Sequence, residues 1–311
     1  GIALAREMVQ RPELNLKVVG FLDERGENIG KSLVNPGIIG AAGDVEEIVA
    51  QQKINRVVLS LAERRGRTPV RQLLHLKFAG VGVEDAHSFY ERLTGRILLE
   101  HLSPSWLILS DGFRKSRLLV MTKRGLDIAA SLLVLLFTWP ILLLTALAIR
   151  LEDGAPVFYP QERTGMGGRP FEIMKFRSMR HDSEGSVPKW TADGDSRITR
   201  VGHIIRKYRI DELPQVLNVL RGEMSFVGPR PERPYFCRLL EEKIPFYALR
   251  HSVRPGITGW AQIKYQYGAS IEEAKTKLEY DLFYIKHLSV FLDFAILFET
   301  AKVILLRRGA K

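Results

Sequence analysis

The sequence has a single cysteine, Cys237, which excludes an internal disulfide and a cysteine-built metal site. Its histidines are few, and His75, His87 and His101 fall without metal-ligand spacing. Residues 1–10 lack a charged n-region followed by an apolar h-region, so they do not read as a secretory signal; they read as a short amphipathic helix. The first 110 residues also lack the glycine-rich turn that a dinucleotide fingerprint places before its first helix; only Gly1 stands there. Acid is in deficit too: 35 Asp and Glu against 46 Lys and Arg leave a formal net charge of +11. That excess calls for an anionic partner, whether nucleic acid, an acidic membrane surface or a phosphorylated substrate. No Met opens the chain, which is expected to be a fragment of a longer protein.

What is present has room for two domains, each with its own core. Over residues 1–110, helix and strand patterns alternate: helices over 2–10, 44–53 and 68–79, strands over 16–22 and 54–61, and a third strand starting at 81–83. Such alternation predicts an α/β module with a parallel sheet in a doubly wound, Rossmann-like arrangement, truncated before its first strand and glycines. Residues 111–122 are mixed and basic and read as a linker.

A charge-free run follows. Residues 128–149 hold no charged side chain, and their 22 positions exceed the ~20 needed to cross a bilayer as a helix. The expected membrane helix spans 126–151 and carries Trp139 and Pro140 at its middle, where proline removes a helix hydrogen bond and bends the axis. Both flanks are basic, and basic flanks favour the cytoplasmic side. A bent helix that enters and leaves by one face satisfies both flanks, so a re-entrant helix is expected rather than a span.

The chemistry gathers in residues 123–311, read as a mostly helical α+β domain. Asp211 and Glu212 are adjacent carboxylates among Arg206, Lys207, Arg209 and Arg221. Pro214 predicts a break between two helices here, with Asp211 at the N-cap of the second and Pro214 in its first turn. Asp211 is then either a plain cap or a nucleophile kept ionised beside bound phosphate. Residues 171–177 alternate as a strand with Lys175 and Arg177 on one face, about 7 Å apart, a spacing that suits a diphosphate. Gly228-Pro229-Arg230-Pro231 presents a guanidinium from a rigid turn, and Arg254-Pro255-Gly256 forms a second turn of similar composition. Residues 181–196 form a long polar loop. The tail, 291–308, has apolar residues at helical spacing and suits either a membrane surface or a core helix.

In order along the chain, Lys123-Arg124-Gly125-Leu126-Asp127, the Pro140 helix, and the stretches 156–179, 196–234, 254–263 and 280–293 resemble the monotopic phosphoglycosyl transferase family of bacterial sugar transferases. The likeness is to its long members, undecaprenyl-phosphate sugar phosphotransferases, in which a Rossmann-like, CoA-binding-like module precedes the catalytic domain. The resemblance implies an enzyme of the bacterial inner membrane, catalytic on the cytoplasmic face. It would transfer sugar 1-phosphate from a UDP-sugar to undecaprenyl phosphate, releasing UMP, in exopolysaccharide or O-antigen synthesis. It implies a covalent phosphosugar on Asp211, with Glu212 completing the catalytic dyad and Mg²⁺ bound through Asp211. It further implies substrate contacts from Lys175, Arg177, Arg209, Gln215, Arg230, Arg254 and Asp281. The partners are then the two substrates and an anionic membrane surface, with no nucleic acid; a homo-oligomer is left open. Two rivals stand beside this reading. A nucleotide-sugar oxidoreductase would need a glycine-rich turn that is not visible, and a nucleotide-sensing membrane scaffold leaves Asp211-Glu212 and Gly228–Pro231 without a role.

Overall fold

The computed structural model describes residues 2–12, 15–24, 26–32, 34–60, 69–102, 107, 110–180, 197–265 and 270–305. The chain divides into two units, Gly1–His101 and Leu102–Lys311.

The first unit runs α1 (Ile2–Gln10), β1 (Phe21–Asp23), β2 (Ile38–Ala41), α2 (Val45–Gln51), β3 (Arg56–Leu59), α3 (Val70–Phe78), β4 (Gly82–Asp85) and α4 (Ala86–Thr94). β1 pairs with β2 and β3 with β4, both in parallel, as strands alternating with helices predict. Val45, Val49 and Leu76 form one core, on which Val57 and Val83 pack. The pairs remain two separate two-stranded sheets among the described residues, so no continuous doubly wound sheet is formed. β2 and α4 were not foreseen. α4 has a legible signature, since Asp85 accepts from His87 N at its start and Gly95, at φ 68°, closes its end.

The second unit begins with α5 (Arg117–Asp153), a 37-residue helix. It starts inside the expected linker because Ser116 caps it, its Oγ accepting from Leu119 N at 3.2 Å. The helix passes through Pro140 without interruption and ends at Gly154. Its most apolar stretch has a mean hydropathy of 2.6 and is only 11% buried, so the protein leaves this surface almost uncovered. Asp127, Ser131, Thr145 and Ile149 are buried toward its two ends, and no residue between Ser131 and Thr145 is.

After α5 come the antiparallel hairpin β5 (Phe158–Thr164) and β6 (Pro170–Phe176), then α6 (Arg200–Lys207), a 3-10 turn at Ile210–Glu212, α7 (Gln215–Arg221), β7 (Ser225–Val227), α8 (Pro234–Lys243), a 3-10 segment at Tyr247–Ser252, β8 (Gly256–Thr258), α9 (Trp260–Lys264), α10 (Ile271–His287) and α11 (Val290–Leu305). β7 and β8 pair in parallel, which brings the two proline turns together: Gly256 N donates to Pro229 O at 2.9 Å. A Cβ on Gly228 would stand 2.4 Å from Arg254 O, so this approach requires glycine. α11 answers the alternative left for the tail: Ile296 is fully buried and Thr300 bonds Thr258, while Phe291, Phe294 and Phe298 stay exposed on the other side. Arg307, Arg308 and the 181–196 loop lie outside the described residues.

Candidate active site

The Asp211–Glu212 turn is built by conflicting local demands. α6 stops at Lys207, and Arg209 takes the left-handed conformation at φ 55°, a strain of about 1 kcal/mol or more for a non-glycine residue. The chain then makes a single 3-10 turn before Pro214 admits α7 at Gln215. Asp211 therefore does not cap α7, contrary to the plain reading of the sequence: the N-cap is Pro214, three residues further on, and no side-chain cap bond is made there.

The two carboxylates have opposite surroundings. Glu212 is gripped by cations: Arg230 Nη2 donates to its Oε1 at 2.8 Å, Lys175 Nζ lies 3.4 Å from the same oxygen, and Arg209 Nη1 lies 3.7 Å from Oε2. Burial pushes Glu212 up, but Arg230 and Lys175 outweigh it and hold the carboxyl well below the ordinary range. Asp211 has no hydrogen bond or ion pair among the described residues. Burial and the neighbouring Glu212 charge push it up to about 6, against the pull of Lys175, Arg206 and Arg209. One carboxylate is thus a fixed anion that stays ionised, and the other is unengaged and more basic than an ordinary Asp. Environments that split a carboxylate pair in this way assign it two roles.

The cations are placed by residues the sequence reading missed. Asn218, fully buried on α7, accepts from Met174 N at 2.9 Å and donates to Glu172 O at 2.7 Å, which fastens β6 and Lys175 beside the turn. Arg163 donates to Pro231 O at 3.0 Å, and Thr164 N to Glu232 O at 2.9 Å, so β5 holds the loop that presents Arg230. Arg250 lies behind that loop. It donates to Asp281 at 2.8 and 3.1 Å, to Tyr247 Oη at 2.6 Å and to Arg230 O at 3.0 Å. A run of buried, polar side chains is the signal that marks these residues, and it appears only once the chain is folded. Beside Arg230 lies a cleft lined by Thr164, Gly165, Arg250 and His251.

Of the expected site residues, Asp211, Glu212, Lys175, Arg209 and Arg230 come together. Three basic or acidic candidates do not join them. Arg177 turns to the end of α5, donating to Asp153 O at 2.8 Å and Gly154 O at 2.9 Å. Arg254 donates to Gly222 O at 2.9 Å, where α7 ends. Both guanidinium groups lie against the negative end of a helix, and Arg177 also meets the Asp153 carboxylate at 3.3 Å. Asp281 is 2% exposed and committed to Arg250, so it supports the site from behind. Gln215 is buried at the first position of α7, with its Nε2 unpartnered among the described residues and no bond to the dyad. Among the described residues no cluster of three His, Cys, Asp or Glu could cage a metal ion.

A family model described as bacterial sugar transferase matches residues 118–307. The chain is 44% identical over 241 residues to the UDP-N-acetylgalactosamine-undecaprenyl-phosphate N-acetylgalactosaminephosphotransferase of Aeromonas hydrophila, covering 78% of this chain and 56% of that protein. It is 35% identical, over 99% of its length and 57% of the relative's, to the undecaprenyl-phosphate glucose phosphotransferase of Komagataeibacter xylinus. An uncharacterized sugar transferase of Bacillus subtilis is 42% identical over 61% of this chain and 90% of its own. The chain spans a little over half the length of the first two relatives.

Proposed function

The chain belongs to the bacterial sugar transferase family, and from that membership we propose that it transfers sugar 1-phosphate from a UDP-sugar to undecaprenyl phosphate with release of UMP. The names of the relatives support the reaction class. The observation that carries the mechanism is the divided carboxylate pair. A free Asp211 oxygen attacks the phosphorus joined to the sugar, the bond to the bridging oxygen breaks, and UMP leaves with that electron pair. An oxygen of the lipid phosphate then attacks the same phosphorus and releases the Asp211 carboxylate. Glu212 carries no proton, since it stays ionised throughout the neutral range; it organises Lys175, Arg209 and Arg230, which receive the phosphate oxygens. Asp211 would hold Mg²⁺, since it is the carboxylate of the pair that carries no hydrogen bond or ion pair among the described residues, while Glu212 is taken by Arg230, Lys175 and Arg209. Mg²⁺ when bound supplies charge neutralisation for the approaching diphosphate. A panel of labelled UDP-sugars offered with undecaprenyl phosphate tests the reading and identifies the sugar; no UMP released from any donor would refute it.

Two expected outcomes follow from this geometry. Arg230→Lys keeps the charge but loses the planar fork that meets Glu212 and phosphate, so turnover should fall roughly 10- to 100-fold with folding intact. Turnover near that of the native protein would reduce Arg230 to a turn residue. The pH dependence is set by Asp211, which must be ionised to attack. Without metal Asp211 takes up its proton at about 6, and Mg²⁺ on the carboxylate would pull that value down, so the acid limb of donor-dependent UMP release should move to lower pH as the Mg²⁺ concentration is raised. A limb that does not move with Mg²⁺ would contradict a metal on Asp211.

The placement of α5 supports a re-entrant helix, which on this reading has both ends on the cytoplasmic face. Asp127 is bonded to Ser225 Oγ and Phe226 N, and Glu152 to Arg200 N and Val201 N, so both ends of the apolar run are tied to one compact unit while its middle is uncovered. Cysteines introduced at Thr122 and Leu151, both exposed and outside these bonds, should be labelled from the same side of the membrane; the native Cys237 is buried and adds little background. Labelling from opposite sides would make α5 a spanning helix.

A further inference from the structure

The catalytic turn is strung between α6 and α7, and each of these helices is held at its outer end by a side chain from α5. Before the turn, Glu152 receives Arg200 N on Oε1 at 2.8 Å and Val201 N on Oε2 at 2.9 Å. These are two of the amides that the start of α6 cannot bond internally. After the turn, Arg124 donates to Val219 O at 2.5 Å and to Leu220 O at 2.7 Å, carbonyls at the end of α7. Arg254 adds Gly222 O, and Gly222 at φ 86° closes the helix. The same end of α5 that carries Glu152 also takes Arg177, two residues beyond Lys175. Each contact matches charge to helix polarity, an anion at an N-terminus and a cation at a C-terminus.

We propose that Glu152 and Arg124 are positioning residues for the dyad: from opposite ends of the apolar run, they fix the two helices between which Asp211 and Glu212 are held. The inference rests on the transferase reading for its kinetic arm only. The apolar helix is thereby the frame on which the attacking oxygen is located, and its basic flank serves internal bonds as well as topology. Lys123 shows the same use, bonding Asp293 on α11.

The test uses E152A, E152Q, R124Q and R124K in the full chain in membranes, with K115M as control. Lys115 donates to Lys286 O at the end of α10, a comparable helix cap away from the turn. E152A and R124Q should each lower kcat of donor-dependent UMP release about 10-fold, since misplacing a reacting group by a fraction of an ångström has effects of this order. The KM for UDP-sugar should stay within about twofold, because the Glu212 cation cluster remains intact. R124K, keeping one of two bonds, and E152Q, keeping one acceptor, should recover part of the loss. Amide exchange over residues 208–213 should rise in E152A and R124Q and stay native in K115M. Native kcat and native exchange in both full-loss variants would overturn the proposal, as would a rise in KM at constant kcat. Exchange over 208–213 reads the positioning even if no donor is turned over, so a wrong reaction and a wrong positioning role give different results. Should a full-loss variant fail to reach the membrane, the R124K and E152Q pair decides by the same two readouts.

Discussion

Asp211→Asn should yield a folded protein that neither releases UMP from a UDP-sugar nor accepts a phosphosugar, with the rate down on the order of 10⁴-fold or more, the scale of losing a nucleophile. The substitution is nearly isosteric, and the structure shows that little else depends on the carboxylate: Asp211 caps no helix and has no ion pair or hydrogen bond among the described residues. Stability should therefore change little. It should even rise slightly above pH 6, because the native charge is disfavoured by burial and by Glu212, and Asn removes it. Native Asp211 presented with donor and Mg²⁺, without lipid, should gain the mass of a phosphosugar on the peptide containing residue 211, and should release UMP before any acceptor is added. An unmodified peptide, together with kinetics that require both substrates bound at once, would exclude the covalent step and leave Asp211 as a metal ligand in direct transfer. Glu212→Gln is the informative companion. It keeps the shape but frees Arg230, Lys175 and Arg209 from their anion, so its loss should appear in donor affinity as well as in turnover.

Parts of this site were legible in the sequence because they depend on local rules. The charge-free run fixes α5, Pro214 and the glycine at 222 bracket α7, and paired prolines announce the Arg230 turn. What the sequence could not tell is where each guanidinium points. Arg230 and Arg254 stand in similar proline turns, yet Arg230 meets the Glu212 carboxylate and Arg254 a helix carbonyl, while Arg177 on its strand meets both the last carbonyls of α5 and the Asp153 carboxylate, since the same planar fork suits both acceptors. Asp281 looked like a site acid because nothing local reveals that Arg250, 31 residues earlier, neutralises it. The three-residue strands β7 and β8 were equally hidden: they are made by the close approach of Gly228 and Gly256, a tertiary event without periodicity. In the first unit the alternation of elements was legible, but whether the pairs join into one sheet depends on strand neighbours that the pattern does not specify.

The Arg250–Asp281 pair sets the largest expected effect on stability. Both side chains are at least nine-tenths buried, and removing one partner of a buried pair costs about 3–5 kcal/mol because the other charge is left without compensation. Arg250→Met should lower the melting temperature by roughly 6–20 °C for a unit of this size. The damage should depend on pH. Without Arg250 the buried Asp281 is held protonated, so its folded pKa stands above its unfolded one. The folded state then binds the extra proton, and stability falls as pH rises through the unfolded value and is regained as pH is lowered. In the native protein burial raises Asp281 to about 6 against the pull of Arg250, so the same slope should be confined to the range between the ordinary carboxylate value and about 6, and in the variant it should run on to higher pH. Arg250→Met combined with Asp281→Leu removes both charges and should recover most of the stability, since apolar replacement of a whole buried pair is often neutral. Activity should not recover with it. Arg230 O loses its donor at 3.0 Å, and the loop that aims the Arg230 guanidinium at Glu212 is released from behind. A double variant that is both stable and fully active would show that Arg250 serves the fold alone; one that is stable and slow would show that the buried pair sets the aim of Arg230.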